Sequence, residues 1–101
     1  MNATERKDRF FRQLNVSEKT KIHYRNGLNG SLLKEITNKM CGKTNVFEIT
    51  DIKSLWKIYS VVNIHPKNIT QHRNISCALM HYIRFLNNGE KYGHRVDFKD
   101  K

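Results

Sequence analysis

Apolar residues recur along most of this chain at the spacing of helix faces, and polar punctuation divides them into segments. The clearest segment carries Ile52, Leu55, Trp56, Tyr59 and Val62, an i, i+3, i+4, i+7 stripe that predicts a helix with Lys53 and Lys57 on another face. Thr50 suits its N-cap, with Asp51 favourably charged in the first turn. Ile64-His65-Pro66 ends it, because the residue before a proline avoids helical geometry. A last helix then starts at Asn68 or Thr70, runs to about Asn87 and is closed by Gly89. Its inward stripe reads Ile75, Ala78, Leu79, Tyr82 and Leu86, flanked by Ile83 or Phe85.

The first half is less regular. Thr4 to Leu14 reads as a short helix capped by Thr4, with Phe10, Phe11 and Leu14 as an apolar patch at its end. Asn15-Val16 breaks that pattern, and Ser17 caps the next helix with Glu18 in its first turn. Ile22, Tyr24, Leu28 and Leu32 follow at roughly helical spacing. Gly27 and Gly30 weaken the middle of this stretch, each by about 1 kcal/mol relative to alanine. The expectation is one helix from 17 to about 29 and another from Ser31 to Met40, stopped by Gly42; the pattern leaves their continuity open. Lys43 to Thr50 is a connector anchored by Val46, Phe47 and Ile49, with room for a short extended piece. Together these elements predict an all-α fold, a compact four- to five-helix bundle over residues 1–89, followed by a polar, loose tail at 90–101.

Charge changes the picture from a generic bundle to one with a partner. Nineteen Lys and Arg against nine Asp and Glu leave a net +10, a balance that attracts polyanions such as nucleic acid. The distribution is sharper than the total. Between Ile52 and Gly89 there is no Asp or Glu, whereas Lys53, Lys57, Lys67, Arg73 and Arg84 all lie there. His65, His72 and His81 can add charge where a polyanion raises their pKa. On the last helix, Arg73, Cys77, Met80 and Arg84 are spaced by four, three and four residues, a basic face opposite the apolar stripe. Such a helix can lie along or within a DNA groove. Thr70 at a helix start would add a hydroxyl beside free N–H groups, a combination that suits a phosphate as well as a cap.

Other chemistry is poorly supported. The five histidines are dispersed, the two cysteines do not form a Cys-x-x-Cys motif, and no Gly-rich phosphate loop occurs, so neither a metal nor any other cofactor is expected. Cys77 and His81 form an i, i+4 pair that could couple thiolate to imidazolium, but Cys77 reads better as a core or near-core residue. No apolar run approaches the roughly 18 residues of a spanning helix, and no signal-peptide core is present. A cytoplasmic protein with reduced thiols, no membrane association and no enzyme activity is the expectation.

Three segments together resemble the N-terminal, core-binding (SAM-like) domain of tyrosine recombinases of the phage-integrase type. Ser17-x-x-Thr20-x-x-x-Tyr24-x-x-x-Leu28 is similar to that domain's opening helix, and Ile49-Thr50-Asp51-Ile52 to the start of its middle helix. Thr70-x-x-Arg73-x-Ile75-Ser76-Cys77-Ala78-Leu79, then Tyr82 and Phe85-Leu86, resembles its last helix. The order and spacing agree over roughly residues 5 to 88. The resemblance implies a bundle that grips one face of duplex DNA through Ser17, Lys19, Thr20, Thr70 and Arg73, joined by Lys21, His72 and Arg84. The chain departs from the family at Asn29-Gly30, and it contains no counterpart of the catalytic domain. His81-Tyr82-Ile83-Arg84 spells that domain's His-x-x-Arg box, but Tyr82 belongs to the apolar stripe and the match reads as coincidence. The first reading is therefore a DNA-binding module using these residues with Lys53, Lys57 and Lys67. The competing one is a small phage- or mobile-element-encoded protein that uses its basic face to inhibit a nucleic-acid enzyme such as a recombinase or nuclease. RNA is a third, weaker choice, because Trp56, Tyr59 and Tyr82 read as buried and leave few aromatics for stacking bases.

Overall fold

The computed structural model describes residues 2–70 and 73–88, and every regular element within them is helical. The helices are α1 (Ala3–Gln13), α2 (Glu18–Asn29), α3 (Ser31–Cys41), α4 (Ile52–Asn63), α5 (Pro66–Thr70) and α6 (Asn74–Asn87), with a 3-10 turn at Val46–Glu48. The tail expected at 90–101, the stop at Gly89 and His72 lie outside the described residues.

Local chemistry accounts for the boundaries. Asn2, not Thr4, caps α1: its side chain accepts from the Glu5 N–H at 2.9 Å, while the Asn2 N–H donates to Glu5 Oε1 at 3.1 Å. This reciprocal box satisfies two N–H groups at once, which a lone Thr4 cap would not. Ser17 caps α2 as expected, its hydroxyl accepting from the Thr20 N–H. Helices α2 and α3 are separate, because Gly30 is extended between them. Gly42 ends α3 in the left-handed conformation (φ 72°), where a side chain would be strained. At α4 the cap is Asp51 rather than Thr50, with its carboxylate accepting from both the N–H and the hydroxyl of Ser54. Those bonds, together with the Lys53 charge, hold the Asp51 carboxyl below its ordinary pKa. The connector holds a 3-10 turn flanked by single extended residues, Asn45 and Ile49.

The last predicted helix is two. After α5 the chain reverses, Arg73 sits in the left-handed region (φ 60°), and α6 starts only at Asn74. Buried Asn68 makes this possible. Its side chain accepts from the Ser76 N–H and donates to the Ser76 hydroxyl, both at 3.0 Å, while its carbonyl accepts from the Arg73 N–H at 2.8 Å. Asn68 thus caps α6 from the preceding helix, across eight residues of sequence, and no local motif announces it.

Helix α6 is the hub, packing most extensively against α4 and α2 and also against α5. Its buried face comprises Ile75, Ser76, Ala78, Leu79, Tyr82, Ile83 and Phe85, while Leu86, expected inside, is only half-buried. Gly27 lets α2 approach closely, since a Cβ there would stand 3.2 Å from Ile75 Cγ1 and 3.3 Å from its Cα. The core centres on Phe10, Phe47, Tyr82 and Phe85, all fully buried and in ring contact around Phe10 and Tyr82. The Tyr82 hydroxyl donates to the Ile49 carbonyl at 2.9 Å, and Arg6 donates to that of Phe47, so the connector is tied to both ends of the chain. On α4 the buried residues are Leu55, Ile58 and Val62. Two residues of the expected apolar stripes face water instead: Trp56 on α4 is 44% exposed and Ile22 on α2 is 54% exposed.

Tyr82→Phe keeps the ring and removes the donor, leaving a buried carbonyl unpaired. Urea unfolding should show a loss of about 1–3 kcal/mol with helix content retained.

Candidate nucleic-acid interface

The expected site residues divide by helix. Arg73, Cys77, Met80 and Arg84 do form the outward face of α6, away from its buried stripe; Arg73 and Cys77 are exposed, Met80 and Arg84 half-buried. Cys77 is therefore a surface residue and not a near-core one, because the α6 stripe turns away from it. Tyr24 meets the His81 ring at 5.5 Å, and Gly27 meets Ile75, so α2 runs antiparallel to α6. Its start, with Ser17, Lys19 and Thr20, accordingly lies toward the Arg84 end of that face. On the other flank, Arg73 donates to the carbonyl and side-chain oxygen of Asn63 at 3.2 and 3.3 Å. The last residue of α4 thus meets the first turn of α6. Exposed Lys53 and Lys57 lie on α4, and exposed Lys67 on α5.

Three expectations change. Thr70 lies at the end of α5 rather than the start of a helix, and its hydroxyl donates to the Lys67 carbonyl at 3.0 Å. Helix α6 starts only at Asn74, so the N–H groups at its start are four or more residues past Thr70. Lys21 pairs with Glu18 at 3.8 Å and shares a surface hollow with Asp8, Arg12 and Arg25, on the α1 side of α2. Helical geometry sets it about 120° around α2 from Gly27, which faces α6. Arg73 has a structural role as well as a charge, since its guanidinium engages the carboxyl end of α4, where a cation is favourable.

An open cleft of about 530 Å³ lies between α2, the start of α3, α5 and the start of α6. Lys67, His23, Asn26, Ser31 and Asn74 line it. No sequence spacing signals this group, because four different elements contribute to it.

Electrostatics separate the two halves of the molecule. The cations of α1 lie among acids: Arg9 and Arg12 share a hollow with Glu5 and Asp8. From Ile52 to Asn88 every formally charged side chain is Lys or Arg. Within that half, burial and then the Arg84 charge hold the half-buried His81 below its ordinary pKa, so His81 adds no positive charge to the free protein near neutrality. Burial, with the neighbouring Cys77, raises the Tyr24 pKa, so its hydroxyl stays protonated. Among the described residues no cluster of three or more His, Cys, Asp or Glu is placed to hold a metal ion. Nor is any described helix long and apolar enough to cross a membrane. Compared with protein-family models, curated proteins and solved structures, the chain matches none.

The His81 shift carries a sign. The unfolded chain binds this proton more readily, so folding stability contributed at His81 is intact above about pH 6.5 and declines below it, down to the lowered folded value. Thermal melts of the wild type should lose stability as the pH falls below about 6.5, and His81→Gln should reduce that loss.

Proposed function

We propose that the chain is a non-catalytic DNA-binding domain that holds duplex DNA on the outward face of α4–α6, in the manner of the recombinase core-binding domain it resembles. One observation carries the reading: the half built from α4, α5 and α6 exposes Lys53, Lys57, Lys67 and Arg73 with no carboxylate side chain from Ile52 to Asn88. An ordinary solvated surface mixes signs, as α1 does here. Phosphates spaced along a duplex are the partner that a one-signed, helical surface suits. Arg84 and the start of α2, with Ser17, Lys19 and Thr20, extend the face at one end; Lys67 and its cleft extend it at the other. A second reading, a protein that inhibits a recombinase or nuclease, draws on exposed Val61, Ile64 and Ile69 around the end of α4 and α5. A tight protein partner captured without any duplex binding at moderate salt would favour it.

The exposed lysines test the first reading without touching the Arg73–Asn63 hydrogen bonds. In the triple variant Lys53→Gln, Lys57→Gln, Lys67→Gln, duplex affinity should fall. The slope of log affinity against log salt should shrink by about 2–3, since each phosphate no longer neutralised removes about 0.9. An unchanged slope would show that duplex DNA does not lie on this face.

A further inference from the structure

We infer that Trp56 is a stacking platform for an unpaired nucleobase, at the edge of the basic face. Lys53, Trp56, Lys57 and Ser60 follow one another at i, i+3, i+4 and i+7 on the outer side of α4. Trp56 leaves 44% of its surface in water, a large apolar area for a side chain that usually supplies core. The Tyr59 ring meets it at 5.4 Å and 86°, a T-shaped contact that steadies the indole without covering it. Trp56 and Asn63 are seven residues apart and therefore share a stripe of α4, and Arg73 beside α6 is bonded to Asn63. The stripe containing Trp56 thus ends at Arg73, where the outward face of α6 begins.

The chemistry of this group selects its occupant. An indole face attracts flat π-systems, and the ammonium groups of Lys53 and Lys57 attract phosphate. Both features belong to a nucleic-acid strand. A paired base is already stacked within its duplex and cannot present its face to Trp56; an unpaired one can. The occupant is therefore a single-stranded stretch, its base on Trp56 and its flanking phosphates on the two lysines. This deepens the proposed nucleic-acid face and rests on its basic charge, but it concerns a different form of the ligand.

The chain has a single tryptophan, so its fluorescence reports on this position alone. The test titrates the full chain with an oligothymidylate of about eight nucleotides, within the range one stacking site usually spans, and separately with a duplex of the same length. The expected result is quenching by the single strand that exceeds quenching by the duplex. With a labelled oligonucleotide followed by anisotropy, Trp56→Ala should weaken single-strand binding by about five- to 140-fold, and Trp56→Phe should retain most of it. An oligoribonucleotide of equal length should quench as well, because stacking does not require a deoxyribose. Unquenched fluorescence with single strands, or equal quenching by duplex, would overturn the inference while leaving duplex binding to be judged by its own salt slope. A blue shift that grows with protein concentration in the absence of nucleic acid would also overturn it, assigning Trp56 to a contact between copies. Quenching is read on the wild type, so the result does not depend on how Trp56→Ala folds.

Discussion

Burying the Tyr82 hydroxyl forces an acceptor to be brought to it, and the acceptor is the backbone of the connector between α3 and α4. A hydroxyl in the core without a partner would offset much of what the ring's burial contributes. The Ile49 carbonyl therefore docks over α6, and Phe47 enters the aromatic cluster with Phe10 and Tyr82. Arg6 holds the neighbouring carbonyl from α1, so one irregular segment is grasped from both ends of the chain. With the connector fixed over α6, the start of α4 is held beside it as well. Within His81-Tyr82-Ile83-Arg84, Tyr82 is the anchor of the core, and the rings of Phe10, Phe47 and Phe85 surround it.

The second constraint is the reversal between α5 and α6. Arg73 adopts a left-handed conformation uncommon outside glycine, and it persists because its neighbours over-determine it. Asn68 accepts or donates at three points across the turn, and the Arg73 side chain is tied back to Asn63. Helix α6 then packs extensively against α4, with Arg73 bonded at the α4 end. The exposed lysines of α4 and Arg73 thus share the surface of two helices packed against each other.

That surface gives the charge imbalance its meaning. A net +10 spread evenly would describe solubility and weak attraction to any polyanion. Here the acids of the described residues keep to α1, α2, α3, the 3-10 turn and the Asp51 cap, and the remaining helices present cations alone. The resemblance to recombinase core-binding domains would put DNA contacts at the start of α2 and on α6, two helices that pack antiparallel. It also names Thr70, which stands at the end of α5 rather than at a helix start. The one-signed charge is thus the firmer support for the proposed function, and it stands without the motif at Thr70.

The all-helical class, the α6 stripe and its outward basic face were legible in the sequence, because each depends on spacing within one element. Ser17 and Gly42 were legible for the same reason: a cap and a left-handed stop are chosen by residues within a turn of the helix end. What the sequence alone could not reveal lies between elements. Trp56 fitted the apolar stripe as well as Leu55 did, and only the placement of α3 and α6 against α4 decided that Leu55 enters the core and the indole faces water. The resemblance grouped Lys21 with Arg84, yet α1 and α6 flank α2 on different sides. Asn68 read as a helix start, and tertiary structure made it the cap of a helix six residues further on. The chain by itself determined the helices and the sign of their charge, since periodicity and composition are local sums. Which polar faces meet, and which aromatic stays in water, was decided only when α6 was buried among its neighbours, because a helix has one core-facing side and its orientation is settled by packing.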